Sequence, residues 1–216
     1  MGQPAGRRIR EAGGVGLVLP TTFHLVRHAA HGLLGRVLTG RMPGVSLNEN
    51  GRAQALRLAE YFSTRPIAAV VAGPLERAQQ TAAPIAAALG LTVTTDAGLD
   101  EIDFGEWTGL AFAALQGSPA WQSWNQSRGT APTPGGETML EALARALRSL
   151  ARWQRAYPEC EVVLVSHQDL LKALLMHSLG APLDLLHRIE LAPASRSVVT
   201  VFGDGSARVD GVNLPP

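Results

Sequence analysis

Apolar residues along the chain fall into short continuous runs that alternate with longer stretches of helical spacing. Thr22–Arg27 (TFHLVR), Ile67–Ala72 (IAAVVA) and Glu161–Ser166 (EVVLVS) read as buried strands, the last covered on both faces. Leu91–Thr95 is a shorter β-branched strand. After a Gly-rich loop, Ala29–Ser46, either Asn48 or Ser46 caps a helix to about Phe62, with Ala55, Leu58, Ala59 and Phe62 on one face. Leu75–Leu89 predicts a second helix, with Pro84 expected to kink it. Asp96–Gly136 is irregular, with one or two short helices around Trp121 and Trp124. Thr138 to about Ala156 is the strongest helix, with an apolar stripe of Leu140, Leu143, Ala144, Leu147 and Leu150. A Glu141–Arg145 pair belongs on its wet side. Gln168–Leu179 is apolar nearly all round, which predicts packing on several sides. Arg188–Leu191, Ser197–Phe202 and Ala207–Val212 read as strands, the last two joined by a turn at Gly203–Ser206.

This alternation predicts one three-layer α/β domain over residues 21–216. Its sheet is mainly parallel with helices on both faces and some antiparallel strands near the C-terminus. Residues 1–20 read as a loosely held tail. Arg7, Arg8 and Arg10 before Gly13–Leu19 resemble a signal peptide only faintly, because the apolar part is short and glycine-broken. Gly6 stands where myristoylation needs Ser or Thr. No apolar stretch approaches the ~20 residues that span a bilayer.

At 46% hydrophobic and 17% charged, the chain supplies a sizeable core and is not disordered. Nineteen basic against eighteen acidic residues argue against a nucleic-acid binder. The single cysteine, Cys160, rules out an internal disulfide and fits a reducing, cytoplasmic setting. Whether the chain pairs as a homodimer is left open by these features.

The chemistry gathers after the strands, where open α/β sheets bind ligands. Arg27-His28 follows the first strand and Arg77 the second, on the first turn of a helix. Asp100, Glu101 and Asp103 follow the third, and His167 ends the Glu161 strand at a helix start. Guanidinium forks and helix N-termini suit a phosphate or carboxylate. A neutral imidazole can attack phosphorus, and a carboxylic acid can protonate the leaving oxygen.

Four stretches, Leu25–Ala29, Gly73–Thr81, Leu99–Gly109 and Val163–His167, stand in this order, each at a strand end. Together they resemble the histidine phosphatase superfamily, the phosphoglycerate-mutase-like fold, from about Thr22 to Phe202. Gly40–Gly44, Gly51–Ala55 and Pro134–Thr138 are similar to that family too. The resemblance implies a phosphomonoester hydrolase with His28 as a nucleophile that becomes phosphohistidine. Arg27, Arg77 and His167 would hold the phosphoryl group, and Glu101 would be the proton donor. It implies a phosphorylated small molecule as partner and no metal or cofactor, because arginines and histidines supply the positive charge. Two readings stand beside it. One is a phosphomutase of the same fold, which the short Phe104–Gly136 segment disfavours. The other is a silent phospho-ligand binding protein, which Ala29, Ala30 and Gln168 keep open at positions the family fills with other residues.

Alanine at 29 would be strained if the loop required a left-handed backbone there. Gln168 is expected to reach over the pocket. His31 reads either as a substrate contact or as a surface residue, and the spacing His28-x-x-His31 raises a metal alternative that adjacent Arg27 opposes. Arg36 and Arg41 reach either the substrate or solvent. Trp121 and Trp124 are expected to anchor the insertion in the core rather than wall the pocket. An ordinary carboxyl at Glu101 is ionised at neutral pH (pKa about 4.3). An apolar wall from Ile102, Phe104 or Trp107 would raise it by desolvation and bound phosphate further, while Arg27 and Arg77 pull the other way, so an elevated value is expected only in the substrate complex.

Overall fold

The computed structural model describes residues 19–216. The reading of residues 1–20 as a tail therefore falls, up to residue 18, outside the described residues. Six strands form one mixed sheet: β1 (Thr21–Arg27), β2 (Ile67–Ala72), β3 (Val93–Thr95), β4 (Glu161–Ser166), β5 (Arg196–Val201) and β6 (Ala207–Leu214), in the order β3-β2-β4-β1-β5-β6. The first four lie parallel, while β5 runs antiparallel to β1 and β6 antiparallel to β5. The helices are α1 (Glu49–Phe62), α2 (Glu76–Ala88), α3 (Phe112–Leu115), α4 (Pro119–Gln126), α5 (Met139–Ala156) and α6 (Gln168–Ser178). This is the expected three-layer α/β architecture. Among the described residues no helix is long and apolar enough to cross a membrane.

The two-residue side-chain period of β4 divides the core. Val162 and Leu164 pack with residues of α5 and α6, whereas Val163 and Val165 pack with residues of α1 and α2. Ala69 and Val71 of β2 face the first cluster, Val70 and Ala72 the second. Covering both faces explains why these strands read as continuous apolar runs. α6 is buried from Leu170 through Met176, as its uniform apolarity predicted.

Four local expectations are corrected. The buried face of α5 is Met139, Ala142, Leu143, Ala146 and Leu150, while Leu140 is exposed. Leu143 and Leu150 are buried as expected and Leu147 packs partly against the core, but Ala144 is exposed like Leu140, and the small Ala142 and Ala146 fill the inner face instead. Glu141 does not pair with Arg145. Its carboxylate instead accepts from the Thr138 amide in a capping box, and Arg145 turns to Glu137. Arg188–Leu191 is not a strand. Leu183–Arg188 winds into a 3₁₀ helix, because both edges of β1 are already occupied by β4 and β5. β3 also starts later than expected. Gly90 adopts a left-handed backbone (φ 67°) and the Leu91 amide returns to the Ala86 carbonyl, closing α2 before the strand begins. α2 itself runs through Pro84.

Candidate active site

The carboxyl ends of β1 and β4 are in register, Arg27 opposite Ser166, so His28 and His167 emerge side by side. Their ring centroids are 5.1 Å apart. The His28 amide donates to the Ser166 carbonyl at 2.8 Å, tying the first loop to β4. His28 Nδ1 lies 2.9 Å from the Ala29 carbonyl oxygen, which can only accept. Nδ1 therefore carries the proton, and Nε2 is left with a free lone pair.

The loop holding His28 is fixed from α1 and α2. The Ala29 amide donates to Thr81 Oγ1 and the Ala30 amide to Gln54 Oε1, each at 2.9 Å. Ala29 is not among the residues with positive φ, so the backbone there suits alanine without strain. Gly51 of α1 lies directly against Ala30: a Cβ at 51 would stand 2.0 Å from the Ala30 carbonyl oxygen. Gly51→Ala should cost about 1–3 kcal/mol of stability in urea unfolding, because two backbones must separate. A midpoint equal to wild type would show that they are free to move apart.

Two guanidiniums flank the histidines. Arg27 Nη1 donates to the Leu191 carbonyl (2.5 Å) and Arg77 Nη2 to the Gly40 carbonyl (2.6 Å). Arg27 Nε, Arg77 Nε and Nη1, and both ring nitrogens of His167 are buried without partners. Burial, together with the charges of Arg77 and Arg27, holds the pKa of His28 well below the ordinary imidazole value. Burial likewise lowers His167, with Arg77 adding to the effect. The two imidazoles are neutral at pH 7, and the fixed positive charge comes from the arginines.

Glu101 closes the site from the segment after β3. Its carbonyl accepts from Arg41 Nε (2.8 Å) and Arg145 Nη2 (2.9 Å), and its Oε1 accepts from the Ile102 amide (3.0 Å). Burial pushes its carboxyl up to about 7, with the Asp169 carboxylate adding to the rise and Arg77 opposing it. The expectation that this elevation needs bound phosphate is corrected: burial and Asp169 outweigh the arginines without it. Asp103 is half-exposed beside Arg41 and does not line the cleft.

These groups lie in and beneath a cleft of about 360 Å³. His28, Arg27, Glu101, His31 and Gln168 line it, with Arg77 and His167 buried. His31 has its ring 5.3 Å from that of His28, and burial lowers its pKa to about 4. Gln168 does reach the cleft, where it donates to Glu190. Arg36 and Arg41 do not line it: Arg36 turns back to the Gly32 carbonyl, and Arg41 braces the Glu101 segment. Trp124 is fully buried as expected, but Trp121 forms part of the cleft wall. Sequence reasoning passed over Arg128, Asp169 and Lys172, which also line the cleft. Asp169 and Lys172 sit one and four residues after Gln168, on the first turns of α6, and that spacing was a usable signal.

Paired histidines and arginines at the strand ends of a mixed α/β sheet, with an acid above them, define a phosphate-binding domain of the two-histidine kind. The family model of the histidine phosphatase superfamily (branch 1) matches residues 23–214. The chain belongs to that superfamily. A Mycobacterium tuberculosis protein described as bifunctional is 40% identical over 199 residues, which are 90% of this chain and 54% of that protein. The chain thus spans about half the length of such curated relatives. A glucosyl-3-phosphoglycerate phosphatase of M. tuberculosis is 33% identical over 157 residues, 67% of this chain and 70% of its own. The native structure of the mycobacterial glucosyl-3-phosphoglycerate phosphatase superposes with TM-score 0.81 at 26% identity, covering 90% of this chain and 99% of that one. That phosphatase has also been solved with VO3 and with inorganic phosphate.

Proposed function

We propose that this chain hydrolyses phosphomonoesters through a phosphohistidine on His28. The observation that carries the reading is a set of unpartnered donors, Arg27 Nε, Arg77 Nε and Nη1 and the single N–H of neutral His167, in the site of His28 with its bare Nε2. A buried donor left unpaired costs on the order of 1–3 kcal/mol. An anion with three equatorial oxygens removes that cost, and most fully when those oxygens spread into the plane of a five-coordinate phosphorus. Nε2 attacks phosphorus, and the ester oxygen leaves with the proton held by Glu101. Glu101, now ionised, takes a proton from the water that cleaves the phosphohistidine. Family membership and the phosphatases among the relatives support the same reading.

A rapid-quench experiment with radiolabelled substrate tests it. Label should appear on the protein in an acid-labile, base-stable form at the rate of turnover, and vanadate should block its appearance. Turnover without any such species would leave direct attack by water as the mechanism. Because arginines meet the phosphoryl charge, EDTA should leave the rate nearly unchanged. Loss of activity restored by zinc or manganese would revive the His28–His31 metal alternative.

A further inference from the structure

The cleft extends beyond the phosphoryl cradle into a half where the alcohol portion of an ester would lie. One side of this half is apolar, with Trp121 and Phe112 contributed by the insertion. Arg128, Asp169 and Lys172 line it too. Arg128 is fixed from three directions. Its guanidinium lies 3.5 Å from the Trp124 ring centroid, Nη1 donates to Asp169 Oδ2 at 2.9 Å, and Nη2 donates to Asn125 Oδ1 at 2.9 Å. Its side chain is only 9% exposed. Asp169, on the first turn of α6, is thereby held against the insertion. No hydrogen bond from the described residues reaches its other carboxylate oxygen.

The charges in this half cancel. Arg128 meets Asp169, and Lys172 meets Glu190 at 3.3 Å. His31 is neutral at pH 7 because its pKa is lowered to about 4. Arg36 and Arg41, the remaining arginines of the neighbouring loop, are turned elsewhere. A second anionic group on the substrate finds no spare cation among the described residues, and Asp169 and Glu190 repel it. An ammonium group meets only carboxylates whose charge Arg128 and Lys172 already offset. What this half still offers is an acceptor, the open oxygen of Asp169, in a cleft whose lining also includes apolar side chains that suit a carbon chain.

We infer that the leaving-group half of the cleft selects an uncharged, hydroxyl-bearing alcohol, with Asp169 accepting one of its hydroxyls and Arg128 positioning Asp169. The inference rests on the phosphatase reading above and names the substrate class for that site. It makes Asp169 a specificity determinant and Arg128 a positioning residue.

The test compares kcat/KM for four alkyl esters on the full chain: propyl phosphate, glycerol 1-phosphate, 3-phosphoglycerate and O-phosphorylethanolamine. p-Nitrophenyl phosphate on the unaltered chain serves as the control for hydrolysis itself. Glycerol 1-phosphate should exceed propyl phosphate by about 10–100-fold. That is less than a fully enclosed hydroxyl site achieves, since this cleft is open to water. It should also exceed the carboxylate and ammonium esters. Asp169→Ala should collapse the glycerol-to-propyl ratio to within about threefold, mainly through KM, since the bond forms equally in ground and transition states. Asp169→Asn should raise 3-phosphoglycerate relative to glycerol 1-phosphate by about tenfold, because the Arg128 charge is released. Any general effect of Asp169 on folding or on Glu101 lowers all alkyl esters together and cancels in these ratios.

Equal rates for glycerol and propyl esters would overturn the inference. So would a preference for the charged esters, or ratios that survive Asp169→Ala. If p-nitrophenyl phosphate is hydrolysed while those ratios are flat, only this inference falls. If the unaltered chain hydrolyses none of the esters, the phosphatase reading falls and takes this one with it.

Discussion

His28→Ala should reduce turnover of p-nitrophenyl phosphate to background, a loss on the order of 10⁴–10⁶ in kcat/KM. The magnitude follows from what the substitution removes and what it leaves. It removes the proposed nucleophile, Nε2, whose lone pair is kept free by the Nδ1 proton donated to the Ala29 carbonyl. It leaves Arg27, Arg77 and His167 with their unpartnered nitrogens, so the cradle still attracts an anion. Inorganic phosphate should therefore bind His28→Ala within about tenfold of wild type by calorimetry, while phosphohistidine disappears from quench experiments. The two measurements together separate loss of the nucleophile from loss of the fold. Turnover near wild type in His28→Ala would end the phosphohistidine reading, however well the cradle binds phosphate.

The second large effect concerns Glu101. Glu101→Gln should lower kcat for alkyl phosphates by about 10²–10⁴-fold, because an alkoxide cannot depart without a proton. The loss with p-nitrophenyl phosphate should be much smaller, since p-nitrophenolate leaves unassisted while transfer to His28 limits the rate. The pH profile gives an independent check. With its pKa raised to about 7 by burial, Glu101 is protonated below that pH and loses its proton above it. The rate on alkyl esters should therefore fall as pH rises through about 7, and this limb should vanish in Glu101→Gln. The fall should not mirror on the acid side near the usual imidazole value, because burial keeps His28 neutral well below it. Asp103→Asn serves as the control carboxylate. If the leaving-group-dependent loss appears there and not at Glu101, the proton donor is misassigned although the nucleophile is not.

The sheet was legible because its strands obey a simple rule. A strand buried on both faces must be apolar wherever it is covered, and β2 throughout and β4 from Val162 to Val165 are. The groups at the strand ends were legible because the topology forces β1 and β4 into parallel register, bringing His28 and His167 together without long-range information. The segment after β3 was not legible in the same way. Its shape comes from side chains reaching backbone, such as Arg145 to the carbonyls of Gly98, Asp100 and Glu101, and such bonds leave no period in the sequence. The inner face of α5 was misread for a related reason. Its contact with the rest of the core depends on how closely Ala142 and Ala146 allow the helix to approach, and hydrophobicity alone does not rank alanine above leucine there. The balance at Glu101 was also beyond the sequence, since the apolar neighbours and the opposing arginines were both visible in it and the depth of burial that decides between them was not.

The carbonyl of Glu101 is gripped by Arg41 and Arg145, one from the loop before α1 and one from α5. The backbone of the acid is thus tied to the framework by two bonds that come from neither α3 nor α4. The insertion and the acid are consequently separable units of heredity. Mutation can reshape the cleft wall while the Glu101 carbonyl keeps both its ties. On the reading proposed above, a lineage carrying this scaffold can drift among substrates through the insertion and the first turn of α6, with no need to rebuild the step that breaks the ester bond.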